Sequence, residues 1–149
     1  MAERLHEAWV IGAAGEDTSR RFDVPVEIGE LRPWIRVRPL TAREALQREA
    51  LGLEEQYSLG PDGAAVSLQR RYDHEAMVEF ELQRCLVDYE LPARTASGEV
   101  VIVTPDEYPR AELLERLPVA LIDWLTECLD TVNMRTPEGA EVLAEGKGG

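Results

Sequence analysis

Two histidine-glutamate pairs, His6-Glu7 and His74-Glu75, are where metal chemistry could begin, because His-Glu-x-x-His on a helix turns two imidazoles toward one zinc ion. Both fail at the second histidine: the residues there are Val10 and Val78, so each helix would offer a single imidazole. Glu3 and His6 reproduce half of a carboxylate di-iron spacing, and no second copy follows. Gly146-Lys147 continues into Gly148 rather than Ser or Thr, and Glu141 stands where a phosphate loop needs glycine. Cys85 and Cys128 fall in apolar helical patterns, where a free thiol behaves as a small hydrophobe, and a reducing compartment is expected. Acid-base catalysis near neutral pH would need a strongly shifted carboxyl that spacing does not reveal. The expectation is therefore a non-enzyme with no catalytic residues, no metal ligands and no cofactor.

The charge points the same way. The 149 residues carry 16 basic and 29 acidic side chains, a formal net charge of -13 and a pI near 4.6. Such a field repels phosphate backbones and anionic membranes, so neither nucleic acid nor membrane is an expected partner. No apolar run is long enough for a membrane helix, and no charged start precedes an apolar stretch of signal length. One window departs from the acidic background: Arg20, Arg21, Arg32, Arg36, Arg38 and Arg43 outnumber Asp23, Glu27 and Glu30. It suits either cross-strand pairing within the chain or self-association and an oppositely charged protein.

The elements that position these residues begin with strands. Phe22, Val24, Val26 and Ile28 alternate with Asp23, Pro25 and Glu27, which predicts an edge strand with one apolar face. Gly29 to Pro33 makes a turn, and Trp34-Ile35-Arg36-Val37-Arg38 returns antiparallel, so that Asp23 and Glu27 would face Arg36 and Arg38. Pro39 ends that strand. Thr41 and Glu44 then form a capping box at a helix start. Ala42, Leu46, Ala50, Leu53 and Tyr57 are expected on its apolar face, with the helix running to about Tyr57. Gly60-Pro61-Asp62-Gly63 breaks the chain.

A second helix is predicted over about Ser67 to Tyr89, with a restart at Asp73. Its later part carries one stripe of Val78, Leu82, Cys85, Leu86 and Tyr89 and another of Met77, Phe80 and Val87. Either this helix is central to the fold or its second stripe meets a partner. Leu91 to Gly98 is read as a loop and Val100 to Val103 as a short third strand. Thr104-Pro105-Asp106-Glu107 repeats helix-start chemistry. Leu113, Leu114 and Leu117 mark a short segment, and a helix of about sixteen residues begins at Pro118. Leu121, Ile122, Leu125, Cys128, Leu129 and Val132 point inward on it, and Trp124 lies at the border.

The expected fold is α+β and mostly helical, an N-terminal β-hairpin with a third short strand packed on a bundle of about four helices. Residues 1–19 would be a flexible arm, 20–135 a single globular domain and 136–149 a flexible acidic tail. The candidate partner-binding residues are Met77, Phe80, Val87 and Trp124.

Over about residues 20–135 the order of elements resembles tail assembly chaperones of long-tailed bacteriophages. The resemblance rests on the first strand, the Trp34-to-Leu46 junction with its Arg38-Pro39-Leu40-Thr41 turn, and the Leu117-Pro118 helix start leading to Asn133. It implies a non-catalytic protein of the bacterial host cytoplasm, absent from the mature virion. Such a protein binds the tape-measure protein and keeps it soluble while tail-tube subunits assemble around it. The tail-tube protein, a frameshifted longer form of the chain and further copies of itself are additional implied partners. Glu145-Gly146-Lys147 permits the codons GAG-GGA-AAG, a slippery run suited to such a frameshift. A virion structural protein of head-tail connector or tail-terminator type, or a small regulatory protein-binding module, are the alternative readings.

Overall fold

The computed structural model describes residues 9–63, 65–137, 139 and 141, with side chains described outside 52–58 and 65–72. The chain divides into two compact units, Met1–Pro39 with Cys85–Gly149, and Leu40–Arg84. The fold is α+β.

The first unit is built on a four-stranded antiparallel sheet in the order β1-β2-β5-β6. Strand β1 (Arg20–Asp23) pairs with β2 (Trp34–Val37), and β2 with β5 (Leu86–Arg94), which pairs with β6 (Val100–Val103). On β2 the alternation expected from sequence appears as burial: Ile35 and Val37 are covered, and Trp34 and Arg36 are partly exposed. Strand β1 is shorter than its apolar period implies. Val24 N–H still donates to the Pro33 carbonyl at 3.0 Å, but Pro33 has no N–H to return, and Val26 N–H turns back to the Val24 carbonyl at 2.8 Å, so the ladder goes no further. Val24 remains buried while Val26 is exposed.

The hairpin's charge pairing is also corrected. Arg21, not a carboxylate, stands opposite Arg36, and Asp23 stands opposite Trp34. Residues two apart on a strand share a face, so Arg21 meets Asp23 on its own strand at 3.2 Å and lies 4.9 Å above the Trp34 ring.

Strand β5 occupies residues assigned from sequence to the end of a helix and a loop. Helix α2 (His74–Cys85) runs directly into it. Val37 pairs with Leu86 and Arg36 with Asp88, which leaves Val87 as the extra residue of a bulge. The bulge shifts the phase of the alternation. Cys85, Leu86 and Tyr89 are all buried, and with Leu82 they keep a spacing of three and four that imitates a helical stripe across a helix-to-strand junction. The freed Val87 carbonyl accepts Arg110 Nη2 at 2.6 Å, which satisfies an acceptor the ladder lost.

The short 3₁₀ turn Arg110–Glu112 leads into α3 (Leu113–Arg116), which buries Leu113, and then α4 (Val119–Val132) lies against β2. The start chemistry at Thr104 produces only one turn, in which Glu107 and Tyr108 N–H groups bond to the Thr104 carbonyl. Leu125, Cys128 and Leu129 of α4 are buried. Burial pushes the Cys128 thiol up to about 11, with the Glu127 carboxylate beside it acting in the same direction. The Tyr89 hydroxyl donates to the Tyr108 carbonyl, and burial raises its pKa.

In the second unit α1 (Ala42–Gly52) opens on the expected capping box: Glu44 N–H bonds to Thr41 Oγ1 at 3.2 Å, and Thr41 N–H to Glu44 Oε1 at 3.0 Å. The helix ends at Gly52 rather than Tyr57. Residues beyond it form β3 (Leu53–Leu59), antiparallel to β4 (Ala65–Tyr72), in place of the predicted helix termini. The Gly60–Gly63 breaker is the hairpin turn, closed by Gly63 N–H to the Gly60 carbonyl at 3.0 Å with Gly63 at φ +80°. The register sets Glu54 opposite Arg71 and Glu55 opposite Arg70. Arg48 of α1 reaches the buried Glu81 of α2 at 2.9 Å.

Residues 1–8, which hold His6 and the Glu3-to-His6 spacing, lie outside the described residues, as do 142–149 with Gly146-Lys147. Of the expected arm, 9–19 are described and are almost wholly exposed.

Candidate partner-binding site

An apolar groove of about 300 Å³ opens on the first unit. One wall is the segment after β1, an irregular run with Val24, Pro25, Val26 and Ile28. The other is the first turns of α4, with Pro118, Leu121 and Trp124, and Pro92 of β5 also lines it. Three prolines line it: Pro25 follows β1, Pro92 lies in β5 opposite Ile102 at a position where the ladder needs no donor, and Pro118 sets the start of α4.

A second cleft of about 340 Å³ adjoins it and shares Ile28, Pro92, Pro118 and Leu121. Its border is basic and aromatic. Arg116 donates to the Tyr108 hydroxyl at 2.9 Å and lies 5.1 Å from that ring's centre, and Arg94 donates to the Gly98 carbonyl at 3.0 Å. Asp23, Glu27 and Asp123, sequence neighbours of the first groove's lining, are exposed. The arrangement is an apolar trough with charges of both signs nearby, which suits the apolar stripe of another polypeptide.

The four sequence-nominated residues separate. Trp124 is half-buried and lines the groove. Val87 is exposed, but it sits at the β5 bulge rather than on the helical stripe assigned to it, and it does not line the groove. Phe80 is partly exposed on α2, with the Arg84 guanidinium 5.3 Å from its ring centre. Met77 is withdrawn from the set, because at 8 % exposure it is part of the chain's own interior. Met77 and Phe80 belong to the unit of residues 40–84, and Val87 and Trp124 to the other.

Sequence reasoning missed Val24, Val26, Ile28, Pro92 and Pro118 as groove residues. Their signal was present as apolar residues interrupted by proline, but the strand reading assigned the valines to a covered sheet face.

Among the described residues no three His, Cys, Asp or Glu side chains cluster as a metal site. No described helix is long and apolar enough to cross a membrane. No family model matches the chain, and no curated protein or solved structure is similar to it.

Proposed function

We propose that this chain is a non-catalytic tail assembly chaperone that binds the tape-measure protein of a long-tailed phage and keeps it soluble during tail-tube assembly. The observation that supports this reading is the groove between the Pro25 segment and α4, with Trp124 in its wall. A tape measure is a long helical chain whose apolar stripes would aggregate in water. A trough of this kind takes side chains from such a stripe, and the net charge of -13 keeps the resulting complex dispersed. The exposed carboxylates of Glu27 and Asp123 favour a stripe flanked by Lys or Arg.

Co-expression with the tape-measure protein tests the reading. The wild-type chain should hold the tape measure in the soluble fraction and co-purify with it. Val26→Asp puts a charge at an exposed groove position, and Trp124→Ala removes the large wall residue. Both should lose capture while the far-ultraviolet spectrum of the isolated chain is kept. If the wild-type chain leaves the tape measure insoluble, the function is wrong. If capture survives both substitutions, the groove is not the site.

A further inference from the structure

We propose that β6 is a self-pairing edge, at which two copies of this chain join antiparallel to make one continuous eight-stranded sheet. The inference is independent of the tape-measure reading.

Strand β6 lies at the end of the β1-β2-β5-β6 order, so one side of it is paired with β5 and, among the described residues, no strand pairs with the other. The direction of its backbone groups follows from two observations. Thr95 N–H bonds to the Glu99 carbonyl at 2.8 Å, which makes 95 and 99 a hydrogen-bonded pair of the β5-β6 hairpin. Such pairs recur every second residue, so Ala93 with Val101 and Leu91 with Val103 are the other bonded pairs. Pro92, which has no N–H, falls opposite Ile102 at a position that needs no donor. Val100 and Ile102 therefore aim their N–H and C=O groups away from β5. Among the described residues these outward groups have no hydrogen-bond partner.

Those two residues are symmetric about Val101. A two-fold axis there sets Val100 of one copy opposite Ile102 of the other, twice, and closes four backbone hydrogen bonds. Val101 meets Val101 of the second copy as a non-bonded pair with close side chains. The alternative centred between Val101 and Ile102 would set outward groups against inward ones and close none.

Charge permits the same register. Val100-Val101-Ile102-Val103 is uncharged and fully β-branched, and Glu99 falls opposite Val103 of the second copy rather than opposite a carboxylate. The two Glu99 residues stand four strand positions apart, roughly 14 Å at about 3.4 Å per residue. That separation exceeds the screening length of about 8 Å at physiological salt. An uncharged strand gives a charged partner strand nothing to select, whereas its own copy matches it at every outward group. The edge also has none of the protection that natural sheets use, neither charge, proline nor bulge within the strand.

Sedimentation velocity of the full chain over a range of concentrations tests the proposal. Wild type should form a reversible dimer, and added salt should strengthen it because each copy carries -13. Val101→Lys sets like charges against each other on the axis and should weaken the dimer by about tenfold or more. Val101→Cys should give a covalent dimer on mild oxidation, since cross-strand Cα atoms at such a pair lie about 4.5 Å apart. Val100→Cys should not, and the native Cys85 and Cys128 are buried. A chain that stays monomeric at all concentrations overturns the proposal. So does a dimer indifferent to Val101→Lys, or one cross-linked as readily through position 100.

Discussion

Helix α1 leaves Leu46 exposed over 70 % of its surface, whereas α4 leaves Leu125 with none, although both leucines sit within amphipathic patterns. What differs is the source of each helix. Up to its terminal Gly52, helix α1 is made of Ala, Arg, Glu, Leu and Gln, residues of high intrinsic helix propensity, and its first turn is closed by the Thr41 and Glu44 capping box. Among its residues with described side chains, Glu44 and Arg48 are partly buried and the others are exposed. Helix α4 is the reverse. Pro118 at its start gives no side-chain cap, and Val119, Ile122, Thr126, Thr131 and Val132 are β-branched and locally unfavourable. It is a helix because Leu125, Cys128 and Leu129 find a covered place. A helix made by local chemistry can spend its apolar side chains on the surface, and a helix made by burial cannot.

The sharpest way to break this contrast is Leu125→Ala. Losing a fully buried leucine should cost about 2 to 5 kcal/mol through transfer and cavity terms, read as a fall in the urea midpoint at unchanged slope. A smaller effect is tied to pH. The Cys128 thiol titrates at about 11 in the folded chain against an ordinary value of 9.0. Between those values the unfolded chain has released a proton that the folded chain still holds, so stability should fall as pH rises through that window. Cys128→Ala should flatten that alkaline decline, as urea midpoints at neutral and alkaline pH would show.

The α1 side of the contrast predicts weaker responses. Thr41→Ala removes the cap oxygen and should cost about 1 kcal/mol, with loss of amide protection confined to the first turn of α1 in hydrogen exchange. Smallest of all is Leu46→Ala, expected within about 0.5 kcal/mol of wild type because the side chain is already in water. Should Leu46→Ala instead cost as much as Leu125→Ala, the two helices would not differ in the way their exposure implies.

The same division explains what could be read from the residues. The capping box was legible because its donors and acceptors lie three residues apart, and the α4 stripe because one period runs unbroken from Leu121 to Val132. The β2 alternation was legible for the same reason. Strand β5 was not, because the Val87 bulge turns a period of two into spacings that imitate a helix. Strands β3 and β4 were missed because Leu, Glu, Gln and Arg serve a helix at least as well, and the backbone pairing across the Gly60–Gly63 turn joins residues up to nineteen positions apart. For the groove, Trp124 was visible as a border residue. Its companions Val24, Val26, Ile28 and Pro92 are distant in sequence and meet only through the fold.

By itself the sequence determined the charge, the starts of α1 and α4, the alternation of β2, and the lack of the tested metal and phosphate motifs, since each depends on residues within a few positions of one another. Tertiary structure decided which apolar faces are covered, where strand replaces helix, and which edge of the sheet is left open. Those outcomes depend on partners far along the chain, and the free energy of burial and cross-strand pairing exceeds the few tenths of a kcal/mol per residue by which local preference separates helix from strand.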